Sequence, residues 1–451
     1  MQEAWIVRRT LKSAALVRQA REKAVIVTTI LLILGVVAGV RGEGADPKIG
    51  TRVLTHTSAA KLKVGSHDLG ALNAGTVLTV EKVRGAWLWI RTGSRRGWIL
   101  RSEVVPCSDA IAVFTASIER DPRNIDAYIG RGVARHVHGQ AEGAIADFGA
   151  AIALDPDRDD LFNNRGVVLL EVGEVDRAIA DFSEAMRRAP RGSIALGNRA
   201  AALAQKGELD RALADYTAAI ERHRDVAGLL ADTRGGQERG SLVAVKHLRG
   251  RADAWRLKRE HDMALADYTE ALLLDPADAA SLLGRGIIFG EKGQFGQALA
   301  DLTEAIRLAP DDPRGYKNRG YFLSLQGNHE RAIADFNEAI RLGPEDAQSY
   351  LWRGTIRAQR AATGTLPPPD SGGTNRQKSG DARDAALADF DAAIRLSPSD
   401  PMAYRCRAAA LARLGEHKQA LADYDAAIRL DPNDPGSASA RAELQAVGRK
   451  L

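Results

Sequence analysis

Residues that could perform catalysis are scattered along this chain rather than clustered. Its nine His residues form no group, and His136 and His138 stand two positions apart, so a helix would turn their rings to different sides. The sequence contains no Gly-x-Ser-x-Gly motif, no phosphate-binding loop and no paired Cys motif. The sequence therefore predicts no enzyme activity, no cofactor and no metal site.

Two charged residues instead recur at a fixed spacing. An Arg recurs at eight equivalent positions of a repeated pattern. In seven of these eight copies, an Asp stands 16 residues after the Arg. The Arg residues are Arg131, Arg165, Arg199, Arg251, Arg285, Arg319, Arg353 and Arg407, and the Asp residues are Asp147, Asp181, Asp215, Asp267, Asp301, Asp335, Asp389 and Asp423. Eight Arg and Asp residues matched in this way predict a structural ion pair within or between the repeated units. Removing one partner of a largely buried ion pair destabilises a protein.

Each repeated unit has the pattern of a helical hairpin. A large apolar residue stands three positions before the Arg and a Gly or Ala directly after it, which places them on one face of a first helix. In the second half, two Ala residues around an aromatic or Leu residue form a stripe at i, i+4 and i+7. Pro closes seven of the eight units. Repetition at a period of 34 residues predicts a solenoid.

This pattern resembles the tetratricopeptide repeat over residues 123–432, because the same marks recur eight times in phase. Residues 107–122 have the pattern of a half repeat, and residues 433–451 that of a capping helix. Insertions at 225–242 and 361–382 interrupt the array, and the Pro-rich second one predicts a flexible loop. The resemblance implies a mainly α fold, a right-handed superhelix whose first helices line a concave groove that binds peptide segments of other proteins.

If the groove follows the family's geometry, residues two positions before and after each Arg line it. In the central units this set, with the basic residues nearby, is Lys246, Arg249, Asp253, Arg256, Leu283, Ile287, Arg314, Lys317 and Tyr321. Its basic character predicts an acidic or C-terminal peptide ligand. The alternative is that these are ordinary solvated side chains. The family's clamp for C-terminal peptides is not reproduced, because Tyr321, Trp352 and Cys406 stand where its basic and Asn residues would follow Lys317.

The N-terminus has the pattern of a membrane-directed segment. Residues 24–40 are 17 in a row without a charge, and a basic leader, residues 1–23, precedes them. Because this leader is long, an uncleaved anchor is favoured over a secretory signal, for which Val37-Ala38-Gly39 offers a cleavage site. The excess of Lys and Arg before the segment places the N-terminus in the cytoplasm and the rest of the chain outside it. Cleavage would instead release a secreted or periplasmic protein.

Residues 51–106, which follow a linker at 41–50, have the pattern of a small β-barrel. Short apolar or alternating runs such as Ala86–Thr92 are punctuated by Gly. The series of Gly, Val, Ile and Trp residues from Gly75 to Val104 is similar to bacterial Src-homology-3-like (SH3-like) domains, and Gly97-Trp98-Ile99 is its most specific part. This resemblance implies binding of cell-wall peptide or carbohydrate, or of another protein.

Three Trp residues of the barrel region allow two interpretations. Trp87 and Trp89 share a strand face by alternation, and Trp98 follows in the next run. Filling of the barrel core is the favoured interpretation. Stacking on a ligand is the alternative, with Arg95 and Arg96 joining the ligand face. The basic residues of this region predict either a solvated face or attraction to anionic lipid or cell-wall polymer.

Charge is unevenly distributed along the chain. The net charge is +5, but residues 107–451 contain 46 basic and 51 acidic residues, so a pI of 9.2 gives no reason to expect nucleic acid binding. Cys107 and Cys406 would lie at opposite ends of the array, so two unpaired thiols are expected. We expect a membrane-tethered scaffold that binds partner proteins. The alternative is a cell-envelope module that binds peptidoglycan or glycan through the barrel.

Overall fold

The structure is a computed structural model that describes residues 48–56, 60–64, 67–92, 95–229, 234–363 and 375–448. The predicted leader and membrane segment lie outside these residues. Within the described part of the chain, no helix combines the length and the apolar character needed to cross a bilayer. The chain divides into an N-terminal and a C-terminal unit at the bond between Asp275 and Pro276, and each unit is considered by itself.

The N-terminal unit begins with a sheet of seven antiparallel strands in the order β3-β2-β6-β5-β4-β1-β7. They are β1 (Arg52–Thr55), β2 (Ala60–Val64), β3 (His67–Leu72), β4 (Val77–Arg84), β5 (Trp87–Thr92), β6 (Arg95–Leu100) and β7 (Val104–Pro106). A short 3-10 helix, Arg101–Glu103, precedes β7, which returns to pair with β1. Apolar residues of all seven strands build the core of this sheet.

The sheet packs directly on the first helices of the array. Helix α1 (Cys107–Arg120) follows β7 without a break, and α2 (Ile125–Val137) comes next. Leu54 of β1 belongs to the same buried cluster as Phe114 of α1. The turn before β4 approaches α2 so closely that a Cβ at Gly75 would lie 3.2 Å from the side chain of Val133. The sheet therefore shares a hydrophobic core with α1 and α2.

The helices after α1 alternate as first and second helices of eight hairpins, from α2 with α3 to α16 with α17, which confirms the predicted solenoid. The N-terminal unit contains α3 (Ala141–Leu154), α4 (Asp159–Glu171), α5 (Val175–Arg188), α6 (Ile194–Lys206), α7 (Leu209–Leu229), α8 (Arg234–Leu257) and α9 (His261–Leu274). The C-terminal unit contains α10 (Ala279–Glu291), α11 (Phe295–Leu308), α12 (Pro313–Leu325), α13 (His329–Leu342), α14 (Ala347–Thr363), α15 (Asn375–Leu396), α16 (Pro401–Arg413), α17 (His417–Leu430) and α18 (Pro435–Gly448).

Part of each predicted insertion is helical. In the first, residues 225–242, α7 continues to Leu229 and α8 begins at Arg234. In the second insertion, predicted as a flexible loop, α15 already begins at Asn375. Starting a helix is costly, whereas each residue added to an existing helix gains one backbone hydrogen bond. Stretches without Pro next to a stable hairpin therefore continue its helices.

The predicted ion pair is present in all eight hairpins, each time between the first and the second helix. Nε and Nη2 of the Arg donate to the Asp carboxylate, as from Arg285 to Asp301 at 2.7 and 2.9 Å. The Asp side chains are only 3% to 13% exposed. The pair between Arg251 and Asp267 also fixes the register of the fourth hairpin, which the sequence left uncertain.

Six of these Arg residues also contact the preceding hairpin or, for Arg131, helix α1. Their Nη1 groups donate to a side chain two positions after the preceding repeat's Asp, or after the equivalent position in α1. The pairs are Arg131 with Thr115, Arg199 with Ser183, Arg251 with Thr217, Arg319 with Thr303, Arg353 with Asn337 and Arg407 with Asp391, at 2.6 to 3.2 Å. Arg165 instead faces Gly149, which has no side chain to accept a hydrogen bond. One guanidinium thus stabilises both the hairpin and its stacking.

The alanine stripe is buried between helices, as the sequence predicts. Ala298, Leu302 and Ala305 are each at most 5% exposed. The small residue after the Arg lets the two helices of a hairpin approach closely. At Gly166, an added Cβ would lie 2.7 Å from the ring of Phe182, too close for any side chain without movement of that ring.

We predict strong coupling between Arg285 and Asp301. Either Arg285→Ala or Asp301→Ala leaves a largely buried charge without its partner, at a cost of about 3 kcal/mol of unfolding free energy. The double variant loses much less than the sum, because no unpaired charge remains. Urea unfolding of the full chain, followed by circular dichroism, measures the four corners of this cycle. Additive losses would contradict the prediction.

We also predict that Gly149→Ser stabilises the contact between the first and the second hairpin. The added Cβ would lie 3.7 Å from Nη1 of Arg165, so the hydroxyl can occupy the acceptor position that is absent there. Gly149→Ala is the control, because it gains only the helix propensity of about 1 kcal/mol. Ser is a poorer helix former than Ala by about 0.5 kcal/mol, and a hydrogen bond to a charged donor contributes roughly 1.5 kcal/mol or more. Thermal unfolding should rank Ser above Ala, and the opposite order would show that the bond does not form.

Candidate functional site

Within each unit, first helices of neighbouring hairpins contact one another and form a shared surface, here called the first-helix surface. In the N-terminal unit α6 contacts both α4 and α8, and in the C-terminal unit α10, α12, α14, α16 and α18 contact one another in turn. The predicted groove residues all lie on first helices of these two units.

In the N-terminal unit, the groove residues of α8 are largely engaged by the protein itself. Arg249 is only 6% exposed. Asp253 accepts a hydrogen bond from the hydroxyl of Tyr268 at 2.5 Å. Burial, together with the nearby Asp253 charge, raises the pKa of Tyr268 well above its usual value. Lys246 and Arg256 are half-buried, so this part of the array presents less exposed positive charge than the sequence suggests.

In the C-terminal unit, the predicted basic residues are paired with the chain's own carboxylates. Lys317 places Nζ 3.2 Å from Oδ1 of Asp346. Arg314 places Nη2 2.6 Å from Oδ2 of Asp312, which also caps the start of α12 by accepting from the backbone N–H of Arg314 at 2.9 Å. Leu283 is buried. These contacts partly neutralise two of the basic side chains on which the sequence based its prediction of an acidic ligand.

The Lys317 pair is an example of a recurring contact that sequence reasoning missed. Arg405 occupies the equivalent position in the last hairpin and places Nη1 2.8 Å from Asp434, the residue before α18. Both pairs span 29 residues and join a first helix to the start of the next one. This spacing, a basic residue followed by an Asp near a Pro-containing turn, was the signal available in the sequence.

The first-helix surface of the C-terminal unit instead contains an aromatic pair. Tyr321 of α12 stacks on Trp352 of α14, with ring centroids 4.5 Å apart and 26° between the planes. Both rings pack against the buried cluster that includes Phe336. Ile287 of α10, another predicted groove residue, is half-buried. Thr355, one turn after Trp352, is exposed. The sequence marked Trp352 only as a departure from the family clamp and did not identify it as a groove residue.

The three Trp residues of the sheet lie on its outer side, so the core-filling interpretation is wrong. Leu88 and Ile90, which alternate with Trp87 and Trp89 along β5, are the residues that enter the core. Trp89 is paired across the sheet with Trp98, and their rings meet edge to face with centroids 5.4 Å apart. All three Trp side chains are half-buried.

Basic residues surround these rings. Lys82 and Arg84 of β4 are exposed and lie opposite Trp89 and Trp87 in the strand pairing, and Nζ of Lys63 lies 5.8 Å from the Trp87 ring. We call Trp87, Trp89, Trp98, Lys63, Lys82 and Arg84 the tryptophan face.

Two further basic residues nearby are partly neutralised. Arg91 and Arg96 both contact Glu81, at 3.0 and 3.2 Å. Arg95 lies on β6 opposite Thr92. The face thus keeps a positive charge next to its aromatic rings.

The described residues contain no group of three or more His, Cys, Asp or Glu that could hold a metal ion. Cys107 and Cys406 are both unpaired thiols. Burial raises the pKa of Cys107 to about 11, so this thiol stays protonated and unreactive at neutral pH.

The architecture is that of a helical-repeat protein. A family model described as tetratricopeptide repeat matches residues 107–159, 163–227, 252–313, 283–347, 325–360 and 372–435, more than half of the chain. This chain therefore belongs to the tetratricopeptide-repeat family. No curated protein sequence matches it.

Several solved structures resemble this chain at low identity. The APC/C hetero-tetramer Cut9–Hcn1 matches at 17% identity and a TM-score of 0.49, over 68% of this chain and 52% of the other, so the chain spans about half the length of that relative. A tetratricopeptide repeat protein from Parabacteroides merdae matches at 18% identity and a TM-score of 0.43, over 64% of this chain and 98% of the other. Pseudomonas aeruginosa pilF matches at 16% identity and a TM-score of 0.41, over 51% of this chain and 96% of the other.

A buried histidine lies beside the groove residues of α8. The His247 side chain is 6% exposed and fills the space next to Gly197 of α6, and its Nδ1 atom has no hydrogen-bond partner. Burial, reinforced by His223 and Lys246, lowers the pKa of His247 from 6.5 to about 4. The neutral ring is therefore the form that fits the fold.

We predict that His247 makes stability fall with acidity. The unfolded chain binds a proton at this ring below pH 6.5, whereas the folded chain does so only near pH 4, so stability present above pH 6.5 is lost as the pH falls through this window. His247→Leu should reduce the loss between neutral pH and pH 4.5 by about 2 to 3 kcal/mol. Urea unfolding at neutral pH and at pH 4.5 measures this loss of unfolding free energy. The control is His56→Gln, which replaces an exposed His. An unchanged pH dependence in His247→Leu would contradict this assignment.

Proposed function

We propose that this protein is a non-enzymatic scaffold that binds extended segments of partner proteins on its first-helix surface. The contact between successive first helices carries this proposal, since it creates a surface longer than any one hairpin. The helices use their small residues to pack on one another, which leaves the remaining side of each first helix for a partner. Membership of the tetratricopeptide-repeat family supports the same function.

The contents of the surface indicate the chemistry of the partner segment. Lys317 and Arg314 are already paired with carboxylates, whereas Tyr321, Trp352 and Ile287 offer aromatic and aliphatic contacts. Aromatic side chains contribute much of the binding energy in protein interfaces. We therefore propose that the C-terminal unit binds a segment through apolar side chains rather than through acidic ones.

We further propose that residues 24–40 anchor the scaffold in the cytoplasmic membrane, with the N-terminus in the cytoplasm and the sheet and solenoid outside it. The uncharged run and the basic leader support this arrangement. We also propose that the sheet is an SH3-like barrel. The short helix before β7, and the return of β7 to β1, support that resemblance.

A blocking substitution tests the proposed surface. Thr355→Arg adds a long charged side chain at an exposed position one turn from Trp352, so it should leave folding intact and exclude an apolar segment. Peptides selected from a random display library against the full chain should lose at least about tenfold in affinity, or roughly 1.4 kcal/mol, for this variant.

Gln297→Arg is the matched control, because it adds the same side chain at an exposed position of the second helix α11 in the same unit. Affinity should be unchanged for it, as measured by calorimetry or fluorescence anisotropy. Equal affinities of both variants and the original chain would show that partner segments do not use the first-helix surface.

A further inference from the structure

The tryptophan face is not explained by the packing of the sheet. Its three Trp side chains stand on the side of β5 and β6 opposite to the core residues Leu88, Ile90 and Ile99. The helices of the array contact β1 and β7, at one end of the strand order, and Leu54 and Val105 serve that contact. Trp rings with one packed side and one side towards water are enriched at binding interfaces and at membrane surfaces.

The excess of basic residues favours an anionic partner for this face. Residues 48–106 contain ten Lys and Arg residues against only Asp68, Glu81 and Glu103. Glu81 is engaged by Arg91 and Arg96, and Glu103 accepts from the backbone N–H of Leu100. Exposed Lys82 and Arg84 lie next to the rings and face no acidic side chain across the strand pair, only Trp89 and Trp87.

The position of the sheet in the chain favours a lipid surface over other anions. Only seven residues separate Val40, the end of the predicted membrane segment, from Lys48, where the described sheet region begins. An extended chain of this length spans at most about 28 Å. A membrane anchor would hold the sheet within that distance of the bilayer. Trp prefers the interface between lipid and water, and Lys and Arg bind anionic head groups there.

We propose that the tryptophan face binds the head groups of anionic phospholipids and holds the sheet against the bilayer. The rings of Trp87, Trp89 and Trp98 enter the interface, and Lys63, Lys82 and Arg84 contact lipid phosphates. This inference depends on the proposed membrane anchor for the orientation of the protein, but the affinity of the face can be measured without the anchor.

Vesicle flotation of the full chain tests the proposal. The substitution Ile33→Arg interrupts the uncharged run at 24–40, so flotation of this variant reports on the rest of the chain. It should float with vesicles that contain phosphatidylglycerol but not with pure phosphatidylcholine, and added salt should weaken binding. Each basic residue near an anionic surface contributes a factor of about five. Adding Lys82→Glu and Arg84→Glu should therefore lower the partition coefficient at least about 25-fold.

The control reverses two exposed charges on the solenoid, Arg177→Glu and Arg331→Glu, and should lower partitioning by less than about threefold because these residues lie outside the face. Equal flotation with both lipids, or no loss in the Lys82→Glu and Arg84→Glu variant, would overturn the proposal. Retention on insoluble peptidoglycan but not on anionic vesicles would also overturn it, in favour of a wall polymer. Failure of the anchor is distinguishable, because the original chain would then not float with phosphatidylcholine.

Discussion

The bidentate contact between Arg and Asp is the interaction on which this architecture depends. It places a guanidinium and a carboxylate between the two helices of every hairpin, where water is mostly excluded. Two charges are costly to bury unless each is fully hydrogen-bonded to the other. The planar fork of Arg meets that requirement, and hydrogen bonding to Asp raises the pKa of residues such as Arg165 and Arg199, so the charge is permanent.

The periodic part of the fold could be predicted from sequence because one physical solution is repeated. The spacing of Arg, Ala and Pro identified eight hairpins, and the structure contains them. Single-copy features were harder. The inserted residues around 225–242 were expected to interrupt the array, but no repeat showed that α7 and α8 would continue through part of them. Alternation placed Trp87 and Trp89 on one side of β5 but could not decide which side, since either assignment leaves a plausible core.

The candidate groove shows a second limit of sequence reasoning. Lys317 was identified by position, but its partner Asp346 comes from the following hairpin. Whether a charge is available to a ligand depends on such contacts, which a motif does not record. The pairing of Tyr321 with Trp352 arises in the same way, because two first helices must lie side by side before the rings meet. Local pattern predicted the scaffold, and contacts between repeats determined its surface chemistry.

The bond that six of the Arg residues make to the preceding hairpin or helix has a consequence for the evolution of such proteins. The accepting position contains Thr, Ser, Asn or Asp in different copies, so any short side chain with an oxygen is sufficient. A duplicated copy therefore carries both the donor for its predecessor and the acceptor for its successor. Insertion of a whole unit by gene duplication would create two new junctions that are already chemically compatible. An array built on this rule can change length without redesign of its interfaces.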